Sequence, residues 1–274
     1  MEAFAGTTSN IPIGAIEAFE YRTSVVMLTV PQDLALLSVD EAAAVCRRVF
    51  DWRPCWRRLS PASSGYVLGS PSYLGLEARA YRERASATNP AIRAGFGDLY
   101  ARLWAAIEPS LRALRDAPLC IDNGHALPGF QIVLVEESTV DPRGTIGAPH
   151  WDWNFLYLDW DPPLAEEMDP SFFASFTLPL GLPASGSGLN VWPTLSSAEV
   201  DEYAAEHGLS EWDAVEALTR PVPPSYHAYS PGTLVVHSGQ IVHGVAPWDF
   251  AAGDARVTMQ GHALFHHGRW QVYW

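Results

Sequence analysis

The sequence predicts a single domain, mostly β, in which residues 129–274 form a β core and residues 1–128 a mixed, helical support. Three observations predict it. From Gly129 onward, short apolar runs (GFQIVLVEE, SFTLPLGL, GLNVWP, TLVVHS, QIVHGV and ARVTMQGHALF) are separated by Gly, Pro, Asp and Ser, the texture of strands and turns. Before Gly129, Ile92, Phe96, Leu99, Leu103, Ile107, Leu111 and Leu114 recur at three- and four-residue spacing, the apolar stripe of an amphipathic helix. The chain has 274 residues, 48% of them hydrophobic and 18% charged, enough for one sizeable core.

Residues 1–37 mix short extended runs, such as SVVMLTV, with loop. Ser38 and Glu41 form a capping box for a helix through about Phe50. Residues 59–75, rich in Ser, Gly, Pro and Tyr, read as loop. Asn89-Pro90 reads as the N-cap and first position of the long helix, and Pro109 is expected to kink it. Within the β region, Ser196 with Glu199 and Ser210 with Asp213 resemble capping boxes, and Gly208 between them is a helix stop. Residues 196–219 therefore read as an inserted helical pair, ended by RPVPP. Such an insertion is either a lid over a site or a decorated connection.

The net charge of −14 disfavours a phosphate-backbone partner, so neither nucleic acid nor an anionic membrane is expected to bind. The cysteines, Cys46, Cys55 and Cys120, are odd in number and far apart, which fits reduced thiols in a cytoplasmic protein. No signal peptide and no run of eighteen apolar residues is visible, so secretion and membrane spanning are not expected. Oligomeric state is not indicated. A small molecule is the expected partner.

Four residues carry the most chemistry. His150 and Asp152, in PHWDWN, are two apart on an extended segment and point to one side. His243 follows much later, in GQIVHGV. Two imidazoles and one carboxylate on one face of a metal are the ligand set of non-haem Fe(II) oxygenases. Arg256, in GDARVTMQG, supplies a fixed cation for a carboxylate, and Thr258 faces the same way. Each short motif alone matches by chance, and a His on an apolar run is more often a core residue. Order and context raise the metal reading. His237 reads as structural or supporting; His262, His266 and His267 read as exposed or loop residues; Asp159, Asp161 and Asp254 read as turn residues. Asn154 continues the parity of His150 and Asp152 and is a pocket candidate, with Gln131, Tyr157, Asn190 and Trp192. Trp151 and Trp153 have the opposite parity and are expected to pack outward under the N-terminal helices.

HWD at 150–152, SFTLPLGLPASGSGLNVWP at 175–193, PGTLVVHSGQIVHGV at 231–245 and GDAR at 253–256 resemble the Fe(II)/2-oxoglutarate-dependent oxygenase superfamily. The resemblance runs from Gly129 to Leu264, about half the chain. It implies a double-stranded β-helix, related to the jelly roll and the cupins, with helices against one sheet. It implies His150, Asp152 and His243 as iron ligands, and Arg256 holding the distal carboxylate of 2-oxoglutarate with Thr258 assisting. Cosubstrate and O2 would share the remaining iron positions. Halogenases of the superfamily replace the carboxylate by a small residue, so Asp152 implies hydroxylation, desaturation or cyclisation at an unactivated C–H bond. The substrate expected is an amino acid or a natural-product intermediate, with succinate and CO2 released. Two other readings stay open. One is a cupin-like iron dioxygenase without 2-oxoglutarate, in which Arg256 anchors a substrate acid. The other is a non-enzymatic β-sandwich binding module with structural histidines.

Overall fold

The computed structural model describes residues 28, 30–59, 65–121, 124–135, 148–161, 163–164, 168–249, 251 and 253–274. These form two sheets and four α-helices. The larger sheet runs in the order β1 (Gln32–Ala35), β9 (Thr233–Ser238), β6 (Met168–Gly181), β11 (Ala255–His266), β5 (Gly129–Leu134), β3 (Gly65–Leu68) and β2 (Arg57–Arg58). Its strands pair antiparallel along that path. β12 (Arg269–Tyr273) pairs with the far half of β11, and β4 (Leu119–Cys120) pairs parallel with β12. The smaller sheet is β10 (Ile241–Val245), β7 (Leu189–Ser196) and β8 (Ser225–His227).

Side chains alternate across a strand, so each central strand has two faces. One face of the larger sheet is apolar: Val257, Met259 and Ala263 of β11, Phe176, Leu178 and Leu180 of β6, Phe130 and Ile132 of β5, and Leu234 and Val236 of β9. Two helices cover it. α1 (Val39–Asp51) contributes Ala42, Val45 and Val49, and α2 (Ala78–Leu114) contributes Ile92, Phe96, Leu99, Leu103, Ile107 and Leu111. Burying each large side chain stabilises by about 1.5–3 kcal/mol, so this layer is the main source of the fold's stability. The opposite face carries Arg256, Thr258, Gln260 and His262 of β11, Ser175 and Thr177 of β6, Gln131 of β5 and His237 of β9. That polar face has a different purpose.

α1 begins where its capping box predicts, with both reciprocal bonds between Ser38 and Glu41 present. The long helix differs from expectation. It starts at Ala78, and Asn89 lies inside it, using its side chain to hold His125 O (2.8 Å) and Leu127 N (3.0 Å). Its break is at Phe96 (φ −134°, ψ 25°) and not at Pro109. The cause is tertiary. The Trp52 ring lies against Gly95, where a Cβ would sit 2.5 Å from it, and Arg48 Nη1 donates to the Gly95 carbonyl at 3.0 Å. Residues 59–75, expected as loop, contain β3, a short buried strand paired with β5. The run SVVMLTV lies largely outside the described residues.

The inserted helices are α3 (Ser197–His207) and α4 (Glu211–Thr219). Ser196 and Ser210 cap them, and Gly208 closes α3 in the left-handed conformation (φ 64°). Val200, Ala204, Ala214 and Val215 pack on Trp151, Trp192 and Val242. Among the described residues no helix is long and apolar enough to cross a membrane. All three cysteines are free.

Gly129 opens β5 beneath the Trp274 ring: a Cβ there would lie 2.0 Å from the ring and 2.7 Å from Leu68 O. Gly129→Ala is therefore expected to destabilise by about 1–3 kcal/mol through overpacking, read as a lower urea midpoint with unchanged slope. An unchanged midpoint would show that Trp274 does not hold that place.

Candidate metal centre

The His-x-Asp segment joins the edge of the smaller sheet. His150 and His243 exchange backbone hydrogen bonds, His150 N to His243 O (2.8 Å) and His243 N to His150 O (2.7 Å). Asp152 N donates to Gly239 O (2.8 Å). Two sequence-distant segments are thereby fixed side by side through backbone alone.

Each histidine is oriented by its own ring. His150 Nδ1 lies 2.8 Å from Ala148 O, and His243 Nδ1 lies 2.8 Å from Ile241 O. A carbonyl only accepts, so each Nδ1 carries the proton and each Nε2 keeps its lone pair. Those Nε2 atoms sit 3.8 Å (His150) and 3.4 Å (His243) from the Asp152 carboxylate oxygens. One ligand atom from each of the three residues lies within 4.8 Å of the others. Neutral imidazoles and a carboxylate are donors suited to a divalent transition metal, and three donors from one side leave positions free. Burial pushes the Asp152 carboxyl up, but His243, His262 and His150 around it pull harder, and it ends well below the usual carboxylate range. Burial and the neighbouring His243 lower His150, keeping its imidazole neutral. Burial lowers His243 too, but Asp152 outweighs it and the net direction is up.

Ser175 of β6 donates to Asp152 Oδ2, and its oxygen lies 3.0 Å from His262 Nδ1. His262 lies on β11 with the parity of Arg256 and Thr258, a signal the sequence offered. The expectation that His262 and His266 are exposed is corrected: both are buried, His262 within the run ARVTMQGHALF itself and His266 because β11 continues one residue past that run. His267 does lie in the exposed turn. His237 places its ring 4.5 Å from that of His243, and burial, then His243, depresses it to about 3.

The cluster opens into a cavity of ≈ 570 Å³. Gln131, Tyr73 and Tyr229 line it, and behind them lies Arg256, only 2% exposed. Arg256 Nη1 donates to Gln131 Oε1 (3.3 Å) and Thr258 Oγ1 (3.4 Å), and the guanidinium lies 6.0 Å from the centre of the Tyr229 ring. Its Nε is buried with no partner, and among the described residues no carboxylate pairs with it. Burial lowers its pKa, yet a guanidinium does not lose its proton. A buried cation with unused donors is a receptor for an anion.

Of the pocket candidates, Gln131, Asn154 and Tyr157 line the cavity. Asn154 and Tyr157 arrive on a 3₁₀ turn, Asn154–Tyr157, not on a continuing strand. Asn190 and Trp192 do not line it: Asn190 sits within β7 opposite Gly244 and Tyr226, and Trp192 packs under α3 and α4 with Nε1 donating to Val222 O (2.7 Å). Trp151 and Trp153 pack with α3 and α4 and not under the N-terminal helices, and both also line the cavity. Asp159 is an exposed partner of Arg82, and Asp254 holds its turn by accepting from Ala251 N (2.8 Å).

The Ser175 hydroxyl fixes which way the Asp152 carboxylate faces. Ser175→Ala is expected to weaken divalent metal binding by about 10–100-fold, measured by anaerobic calorimetric titration with Fe(II). Unchanged affinity would mean that backbone alone orients Asp152.

No family model matches the chain, and no curated protein matches it in sequence. Solved structures do. An N-substituted L-amino acid dioxygenase from Burkholderia ambifaria AMMD is 19% identical over 89% of this chain and 85% of that one, with a TM-score of 0.51. The same dioxygenase in complex with α-ketoglutarate gives 18% identity over the same shares and a TM-score of 0.49. A Pseudomonas putida prolyl-4-hydroxylase gives 14% identity over 87% of this chain and 93% of that one, with a TM-score of 0.37. At such identities the likeness is one of fold: this chain folds as the Burkholderia dioxygenase does, and its His150, Asp152 and His243 donors stand together on that fold.

Proposed function

We propose that the protein is an Fe(II)- and 2-oxoglutarate-dependent oxygenase on a double-stranded β-helix core, oxidising an unactivated C–H bond of a small molecule. The observation that carries this reading is the buried, carboxylate-free Arg256 behind the wall of the cavity that holds the His-Asp-His cluster. A metal site alone fits many enzymes. A metal site sharing a cavity with a built receptor for a second carboxylate fits this one.

In this reading His150, Asp152 and His243 hold the iron, each oriented before metal arrives. Arg256 and Thr258 hold the distal carboxylate of 2-oxoglutarate, with Gln131 fixing the guanidinium through Nη1. Burial raises the Tyr73 and Tyr229 hydroxyls, which stay protonated and able to donate to an acid between them. Iron, cosubstrate and O2 together supply the oxidising power, with succinate and CO2 as coproducts. The protein's part is to orient donors, fix the acid and exclude bulk water. Asp152 fills the position that a halide would need, which favours hydroxylation, desaturation or cyclisation of an amino acid or natural-product intermediate.

The test is anaerobic titration with Fe(II) and 2-oxoglutarate, followed by visible absorption. Chelation of the keto acid gives a weak green charge-transfer band in the wild type, absent in Asp152→Ala. Arg256→Ala is expected to weaken 2-oxoglutarate by about 2–5 kcal/mol, tens- to thousands-fold. Iron binding without a band would move the protein to the cupin-like class. No iron binding would overturn the metal reading altogether.

A further inference from the structure

Trp212 of α4 and Asn154 and Tyr157 of the 3₁₀ turn stand in one wall of the cavity. Glu211 is the first residue of α4, and its Oε2 is buried with no hydrogen-bond partner among the described residues. With His150, Trp151, Trp153, Trp212 and Val215 it lines a recess of ≈ 10 Å³, and four of these residues also line the large cavity. The aromatic rings meet edge to face: Trp153 is 6.4 Å from Trp212 at 72° and 5.9 Å from Tyr157 at 67°. Such an arrangement leaves ring faces free for a ligand. Trp212 is 54% exposed, unusual for so large an apolar group.

Charge points the same way. Among the described residues no arginine lines the large cavity, and the chain has no lysine. Among the described lining residues an anionic group there would meet no fixed cation besides Arg256 behind the wall. A cation where the recess joins the cavity would meet the half-buried Glu211 carboxylate and the negative faces of indole and phenol rings. Burial, then the nearby Asp201, pushes the Glu211 carboxyl up to about 7, the mark of a carboxylate short of a counter-charge. Its place in the first turn of α4 would lower it instead, so helix capping does not account for it.

We infer that Glu211, with Trp153, Tyr157 and Trp212, forms a subsite for a positively charged nitrogen, so that the molecule bound beside the metal is an amine or a quaternary ammonium compound. Identifying that molecule as the substrate rests on the oxygenase reading; the cation site itself does not. Glu211 is a binding residue here, and no bond is made or broken at it.

The experiment uses the full chain without metal or cosubstrate. Choline and its neutral isostere 3,3-dimethyl-1-butanol are titrated separately, with proton NMR of the ligand as readout. Choline is expected to bind about tenfold tighter than the alcohol. Glu211→Gln is expected to erase that preference, and Trp212→Ala to weaken choline while leaving the alcohol nearly unchanged. Gln has no charge to desolvate, so the first variant keeps the fold, checked by circular dichroism. Trp212 is exposed, so the second variant tests the cage independently. Equal binding of the two probes, no binding of choline, or a preference that survives Glu211→Gln overturns the inference. The green band of the iron complex is read without either probe, so failure here leaves the oxygenase reading untouched, and failure there leaves the cation site standing.

Discussion

The two central strands, β6 and β11, are covered on both sides, and everything else depends on which residue faces which way. A slip of one residue would turn Arg256, Thr258 and His262 into the helix layer and send Val257, Met259 and Ala263 into the cavity. The buried apolar face makes that slip prohibitive. β11 keeps a regular ladder with β5 through Arg256 and Thr258. On its other side the ladder to β6 shifts, with Gly181 opposite Val257 but Pro179 opposite Thr258. A proline has no N–H to give the ladder, so a bulge there costs little. The irregularity is taken up by β6, and the arginine strand stays straight.

That rigid floor makes buried charge tolerable. Arg256 and Asp152 are both almost fully buried; the partners of Asp152 are histidines, and among the described residues no carboxylate pairs with Arg256. Asp152 is compensated by imidazoles on three sides and the Ser175 hydroxyl. Arg256 is compensated only by neutral oxygens and ring faces. A lone buried cation is costly in the absence of an anion. The fold carries that cost in its helix-covered core, and under the proposed reading a bound carboxylate would relieve it, so that affinity for the acid would be prepared during folding.

What was legible in the sequence was what is local. Ser38–Glu41, Ser196–Glu199 and Ser210–Asp213 each start a helix because a capping interaction spans only three residues. His-x-Asp and Arg256–Thr258 could be placed on common faces because strand parity is a two-residue rule. Distant contacts stayed hidden. The kink at Phe96 depends on Trp52 and Arg48, which no window around Phe96 contains. Asn154 does line the cavity, but from a 3₁₀ turn, because the chain leaves extended geometry just after Asp152. Trp192 and Trp151 were assigned without knowing that α3 and α4 would fold back over them. His262 was readable in principle, four residues beyond Thr258 at even spacing on one strand. The turn at His267 begins only after His266, so the strand carries His262 well inside its ladder.

The inserted helices also divide the labour of the site. His243 and Arg256 stand on strands and His150 and Asp152 are tied to the smaller sheet's edge and its turn by backbone hydrogen bonds, whereas Glu211 and Trp212 stand on α4, whose start is set by Ser210 and whose packing is set by Ala214 and Val215. The two supports meet where Ala214 and Val215 pack on Trp151 and Val242, the chain neighbours of the donors. Under the proposed reading, substitutions on the exposed side of α4, at Trp212, would alter what the cavity accepts, while those on its packed side, at Ala214 and Val215, would reach the donors through Trp151 and Val242. An insertion between β7 and β8 is a suitable place for selecting the bound molecule. It joins two strands at the smaller sheet, beside the His150–His243 bridge, and alters no ladder of the larger one.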